Sequence, residues 1–565
     1  MVVNRIRRLG AGWTRRRILR LLMWIVFAFT LRAVALRGDG LWMDEGYTAW
    51  FAHLPAREHA VALRNDDAPP LYSTLQRILL PHLPPNEASV RALSVVAGVA
   101  GTVCLAIAPP FAALGEAPAA LYAVGTYGVY HGRHGRSYAL LMLWSLLLLT
   151  ATARFVSGRS ARWLYLVVLA EALALWTHNV AINLILAANV AWILCGRRDP
   201  RRWLLAQGVV LLLWLPYLLA LFPAQYAAHA NLNSWILKYW RLHPIAIAPL
   251  MSLESFTSGA RAFPTPPAER WRYLGPGSWI VAALAFASVA VLLAAAFRKG
   301  DRRSALFAAS FTLAPLVSML VLSIIAPPSY TPARTDAIAY GGFILWIALG
   351  LRSVRPAVRW PILAVLLVST ILAVSTRLPI DGQKREHDRK IGEVLRANVS
   401  PGDWVIYVGP SRPGIDYYLS RGRPGLPDSL IHRIHYPGVN AADPAADYPT
   451  PADSMATYEA EARRVRRSIE ARASEEAARG MAGAFDQSHR NVYWVGPMFI
   501  GKDAATAENL PYPGDIMAYT LNGLRPLTPM VRMVGDEMGV DWLVFRLPLR
   551  DLIPEDELQP VKMGS

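Results

Sequence analysis

Cysteine is nearly missing from this chain: Cys104 and Cys195 are the two among 565 residues. Both lie inside apolar runs, so a disulfide or metal framework is not supported, and each reads as a small buried side chain. Charge is also scarce. Asp, Glu, Lys and Arg make up 17% of residues, where an ordinary soluble domain has about 25%. Acid is the scarcer sign, with 40 Asp and Glu against 58 Lys and Arg and a formal net charge of +18. A surplus of that size can signal nucleic-acid binding, but no recognised motif or basic aromatic module accompanies it. No small-residue cleavage site follows Thr14-Arg15-Arg16-Arg17 and its apolar run, so the first helix is expected to be retained. Internal repeats and low-complexity tracts are missing as well.

What the chain has in abundance is apolar sequence. Hydrophobic residues are 54% of the total and the mean hydropathy is +0.28. Eleven windows read as membrane spans: 18–36, 88–108, 117–131, 137–156, 162–176, 179–195, 203–222, 278–297, 304–326, 337–351 and 360–376. Most hold about 20 residues, the length that crosses ~30 Å of hydrocarbon; the third, fifth and tenth are short. The basic residues explain the charge. Arg15, Arg16, Arg17 and Arg20 precede or open the first window, and Arg154, Arg197, Arg198, Arg298, Lys299, Arg352 and Arg355 recur in alternate short connections. With eleven spans these all fall on one side, which the positive-inside rule makes the cytoplasm.

The expected fold class is therefore a polytopic α-helical membrane protein with a C-terminal extracytoplasmic α/β domain. The membrane part runs over 1–378, with an outer loop at 37–87, and the outer domain over 379–565. Composition turns polar at Asp381. Asp403–Gly409, Asn491–Gly496 and Asp541–Arg546 read as strands. Asp453–Arg479 reads as an exposed helix, and the Pro- and Gly-rich stretch Arg421–Pro451 as loop. Within 37–87, short helices are expected at about 44–53 and 70–81, with Trp42, Trp50, Phe51 and Tyr72 suited to lying along a membrane surface.

The outer face collects the chemistry. Leu41 to Thr48 reads LWMDEGYT, placing Asp44 and Glu45 where the chain leaves the membrane. Carboxylates at a bilayer surface are costly unless used. There they can take a proton from an acceptor or bind a divalent metal. Asp44 also sits where a helix cap would, with Glu45 as first-turn charge. A second acidic cluster, NDDAPPLY, holds Asp66, Asp67 and Tyr72, although Pro before a helix start is ordinary capping grammar. Tyr130 to Tyr138 carries Arg133 and Arg136 on the side where arginine is disfavoured. Such guanidinium groups hold phosphate bidentately, or else snorkel to the interface. His178 follows at the next outward turn, where a hydrogen-bonded structural role also fits. Arg334 closes the loop PPSYTPART, and Lys238 and Arg241 lie in the longest loop. Asp403, Trp404, Tyr417 and Tyr418 read as fold residues.

In this order, LWMDEGYTAWFA, NDDAPPLY, SVRALS, GRSYALL, a Thr-His turn and a Pro-rich loop with a late arginine, the chain resembles the GT-C membrane glycosyltransferases. The likeness is to the bacterial relatives of protein O-mannosyltransferases and of the lipid A aminoarabinose transferase. It covers about 18–376 and is densest in the first 140 residues. The resemblance implies a hexosyl- or pentosyltransferase in the bacterial cytoplasmic membrane, with its site facing outward. It would move a sugar from a polyprenyl-phosphate donor to a lipid, glycan or protein acceptor. It further implies Asp44, with Glu45 beside it, as the catalytic pair, and Asp66, Asp67 and Tyr72 shaping the site. Arg133, Arg136, His178 and Arg334 would contact lipid phosphate. Membrane lipids are the other partners, and nucleic acid is not one. Ala68 stands where a histidine often precedes the prolines, and no Trp-Trp-Asp-Tyr-Gly-type motif occurs, which argues against an oligosaccharyltransferase. The need for a divalent metal stays open, and no other cofactor is implied. A flippase or transporter of lipid-linked sugar, and a non-catalytic membrane scaffold, are the alternatives; polar residues gathered at one edge rather than mid-membrane favour an enzyme over a transporter.

Overall fold

The structure is a computed structural model. It describes residues 15–38, 40–54, 56–66, 68–108, 111–158, 160–226, 236, 240–241, 243–258, 278–384, 386–400, 403–408, 412–420, 432–436, 467, 491–498, 529–533 and 541–548. It divides into two compact units, one made of 1–38 and 66–380, the other of 39–65 and 381–565. Residues 39–65, which lie between two apolar windows in sequence, are grouped with 381–565.

The first unit is helical. Each of the eleven windows falls on helix. Among the described residues, six helices are both long and apolar enough to cross a membrane: Glu87–Ile107, Tyr138–Val156, Pro200–Ala220, Ile280–Lys299, Arg302–Ile325 and Pro356–Ala373. Trp163–Thr177 and Ala181–Cys195 are apolar but have 15 residues each, about 22 Å of helix. On Pro200–Ala220 the side chains of Leu204, Leu205, Leu212 and Leu219 are exposed, as a lipid-facing surface requires.

Tyr340–Ser353 is the most completely enclosed of the longer helices among the described residues. Every residue from Tyr340 to Leu351 is buried, the signature of a helix enclosed on all sides. It lies against Tyr138–Val156, Ser278–Lys299 and Arg302–Ile325. Without a hydrophobic drive in lipid, such contacts depend on small residues that admit a neighbouring backbone. A Cβ on Gly342 would stand 2.6 Å from the backbone carbon of Phe311, and one on Gly350 would run into the Leu292 carbonyl. Gly342→Ala should therefore cost about 1–3 kcal/mol of stability through overpacking. A thermal midpoint of the detergent-solubilised variant equal to that of the parent would refute this.

The window 117–131 is two helices, Ala117–Val124 and Thr126–Gly132, broken at Gly125. The cause is Arg32, fully buried in the first helix, Arg15–Ala33. Its guanidinium donates to the carbonyls of Tyr122 and Ala123 at 3.0 Å each, the groups that a helix end leaves without partners. Gly98 and Gly132 make the room, since a Cβ on either would meet Arg32 Nε at 2.5 or 2.6 Å.

In the second unit, the described strands are β1 (Trp404–Val408), β2 (His432–Tyr436), β3 (Asn491–Met498), β4 (Pro529–Met533) and β5 (Asp541–Pro548). Their order is β2-β1-β3-β5-β4, with β1 parallel to β2 and β3, and β5 antiparallel to β3 and β4. Val405, Tyr407, Tyr493, Val495 and Val544 bury one face against Ile391, Leu395, Ile415 and Leu419. Those last four come from the helices Glu386–Asn398 and Arg412–Ser420. Asp403 pins β1 to β3 by accepting the Asn491 amide at 2.7 Å and that of Ser400 at 2.8 Å. Burial pushes its carboxyl above the ordinary value despite those bonds. The strand at 432–436 corrects the expected loop there: His-Arg-Ile-His-Tyr at a sheet edge has no apolar run to betray it. Apart from Arg467, helical and exposed, the helix expected at 453–479 lies outside the described residues.

Candidate functional site

Asp44 and Glu45 belong to the second unit. They sit at the start of Met43–His53, whose N-cap is Trp42 rather than Asp44. Glu45 is fully buried, and its Oε2 accepts the Trp42 amide at 3.4 Å, the half of a capping box that Glu at N3 supplies. Glu45 thus fastens the helix. Asp44 is half-buried one residue earlier, and its carbonyl takes the Thr48 hydroxyl at 3.0 Å. A further helix absent from the sequence reading, Ala56–Asn65, folds back so that His59 meets the Phe51 ring edge-on at 4.7 Å. Phe51 is accordingly buried in protein, as is Tyr72, rather than lying at a lipid interface.

The remaining predicted residues belong to the first unit, except that Asp67 and Lys238 lie outside the described residues. Arg91 and Arg133 are buried where the first helix ends. Arg133 Nη1 donates to the carbonyls of Leu31 (3.2 Å) and Val34 (2.5 Å), and Arg91 Nη1 to that of Leu36 (2.9 Å). Cations suit the negative end of a helix dipole. Arg133 is therefore first a helix cap.

Four segments distant in sequence are tied together in this unit. Tyr72 Oη accepts from Gln76 at 2.9 Å and stands 3.3 Å from Ser94 Oγ, which donates to the Arg136 carbonyl at 3.1 Å. Gln225 donates to the Ala68 carbonyl at 3.0 Å. Tyr217 Oη bridges Gln225 Oε1 (2.7 Å) and Asn179 Oδ1 (2.8 Å). A row of rings then runs from Tyr127 to His131 (4.5 Å), Tyr138 (5.2 Å) and His178 (5.7 Å). Tyr127 donates to Asp336 Oδ1 at 2.6 Å. The 66–72 motif, the 133–138 loop, the 178–179 turn and the 330–336 loop thus form one connected polar region. Asp66, Arg136, His178 and Arg334 are half-buried in it, while Arg241 is exposed.

Sequence reasoning missed the residue that organises the last of these loops. Asp336 is fully buried. It accepts the Ala333 amide at 3.0 Å, stabilising Ala333 at φ +64°, a conformation unfavourable to a residue with a Cβ. Thr331 N–H donates to Thr335 Oγ1, and Ser323 Oγ takes the amides of Ser329 and Tyr330. Arg334 leaves this scaffold between Ala333 and the 3₁₀ turn Thr335–Ala339. The signal available in sequence was an acid two residues after an arginine in a Pro-rich loop. Burial pushes the Asp336 carboxyl from an ordinary 3.8 up to about 6, against hydrogen bonds from Ser252, Tyr127 and the Ala333 amide that pull it down. The folded chain then holds this proton more tightly than the unfolded chain, so stability falls as pH rises from 3.8 to about 6. Asp336→Asn should remove that component of the slope; melting curves across the window whose slopes match in parent and variant would refute it.

Among the described residues, no three His, Cys, Asp or Glu side chains gather so as to hold a metal ion.

No family model matches the sequence, and no curated protein matches it. Solved structures do. ArnT from Cupriavidus metallidurans in the apo state aligns with a TM-score of 0.51 at 13% identity, over 96% of this chain and 99% of its own. The same protein bound to undecaprenyl phosphate gives 0.49 at 12% identity, over 94% and 99%. The oligosaccharyltransferase of Archaeoglobus fulgidus tethered with an acceptor peptide also gives 0.49 at 12%, over 93% and 74%. The chain has the GT-C fold of membrane glycosyltransferases. It is a multi-pass helical membrane protein.

Proposed function

We propose that this protein is a glycosyltransferase that moves a sugar from a polyprenyl-phosphate donor to an acceptor at the outer face of the cytoplasmic membrane. The observation that carries the reading is the joining of four distant polar segments, two of them bearing Arg136 and Arg334, into one region of a GT-C-fold membrane unit. That ArnT has been solved with undecaprenyl phosphate supports a lipid phosphate as the anionic group.

In the proposed reaction Asp44 takes the proton of the acceptor nucleophile, which attacks the anomeric carbon. The bond to the lipid phosphate breaks in line, with inversion, and the phosphate carries away the electron pair. Arg136, Arg334 and His178 meet its charge. A fixed cation in a water-poor site stabilises such a leaving group far better than water does. Arg133 contributes by holding the end of the first helix, and Asp66 and Tyr72 shape the region where the donor rests.

The test is transfer by the purified protein from radiolabelled prenyl-phosphate sugars, with and without lipid, glycan and peptide acceptors. Label appearing in acceptor supports the reading. Label that only crosses the bilayer of a proteoliposome would replace it with a transporter, and label that does neither would leave a scaffold.

A further inference from the structure

The sheet unit has an assignable task. Leu41 and Tyr418 are both buried in it, 377 positions apart, and the Leu41 amide donates to Tyr418 Oη at 2.8 Å. The next amide, that of Trp42, is the one Glu45 accepts. The carbonyl of Trp42 takes the amides of Glu45 and Gly46 at 2.9 Å each. The amides of Leu41 and Trp42 and the carbonyl of Trp42 are thereby fixed where Met43–His53 begins, and the helix packs along Arg412–Ser420. Tyr418 is itself immobilised from behind. Its neighbours Ile415 and Leu419 belong to the core under the sheet, and a Cβ on Gly392 would come within 2.5 Å of Tyr418 Cβ.

We propose that Tyr418 is a positioning residue, whose hydroxyl ties the start of the Asp44-bearing helix to the sheet and so sets where the Asp44 carboxylate stands. This rests on Asp44 being the base. The general physics is that a base displaced by about 1 Å can lose up to about 10²-fold in rate. A short helix of 11 residues has little stability of its own and takes its position from tertiary contacts.

The experiment compares full-length parent and Tyr418→Phe, which keeps the ring and removes the hydroxyl, by amide hydrogen exchange in detergent and by donor kinetics. Exchange over 41–53 should quicken about fivefold, the factor one lost hydrogen bond implies. Strands β1 and β3 should exchange at the parental rate, and kcat should fall about tenfold with KM for the donor unchanged. Unaltered exchange over 41–53 overturns the tether. Faster exchange throughout the sheet overturns it too, because the hydroxyl then supports the fold rather than the helix. Quickened exchange with intact kcat overturns the positioning role. Asp44→Asn assayed alongside separates the two ideas: transfer surviving in that variant removes the base, while the exchange result still judges the tether.

Discussion

Asp44→Asn should express and fold like the parent while transfer falls about 10²–10⁴-fold, the usual worth of a positioned general base. In barrier terms that is roughly 2.7–5.4 kcal/mol. The structural cost is much smaller. Asn has the shape of Asp, and Asp44 is half-buried. What the helix loses is one negative charge in its first turn, about 0.3–1 kcal/mol. The cap stays, because Glu45 supplies it. Glu45→Gln gives the contrast. Glu45 is fully buried, and an amide oxygen can still accept the Trp42 N–H, so turnover should change far less than for Asp44→Asn. Initial rates with saturating donor, alongside thermal midpoints, separate the pair. Near-parental turnover in Asp44→Asn would take Asp44 out of the mechanism. Equal losses in both variants would mean that the start of the helix, not one carboxylate, is what matters.

The difference between these neighbours was only half visible in the sequence. An acidic pair after a span is easy to find, and so are apolar windows, because both are local patterns. The pattern does not say which acid turns inward, since that depends on Trp42 becoming the N-cap. Position 39–65 was harder still. It lies between two spans in sequence and so reads as membrane loop, yet its helix packs against Arg412–Ser420 through a contact that no local periodicity announces. The strands at 404–408, 491–498 and 541–548 carry buried apolar runs and were legible. The edge strands at 432–436 and 529–533 lack them and were not. Arginine was the most ambiguous residue. Arg133 looked like a site cation, and Arg32, inside the first apolar window, did not stand out; both serve helix carbonyls. A guanidinium in lipid must satisfy its donors somewhere, and unpaired helix ends are the nearest acceptors.

That ambiguity makes Arg334 the sharper test of donor chemistry. Arg334→Gln is expected to lower kcat/KM for the lipid-linked donor by about 10²–10³-fold, the size of effect seen when a preorganised charge-stabilising group is removed. The backbone around it explains why the loss should be local. The turn is held by Asp336 on the Ala333 amide, by Thr335 on the Thr331 amide and by the Arg334 amide on the Thr331 carbonyl at 3.1 Å. None of these three bonds involves the guanidinium, so all three stay available when it is replaced. Arg334→Lys should recover part of the loss, because it restores the charge but not the planar two-pronged donor. Arg133→Gln should behave in the opposite way, with a lowered thermal midpoint as its main effect, since it abandons the carbonyls of Leu31 and Val34. The measurement is donor-concentration dependence at fixed acceptor, together with melting in the same detergent. A donor response in Arg334→Gln equal to the parent's would make Arg334 a structural arginine like Arg133 and shift the phosphate contact to Arg136 and His178. A full recovery by lysine would show that charge alone, without bidentate geometry, is enough.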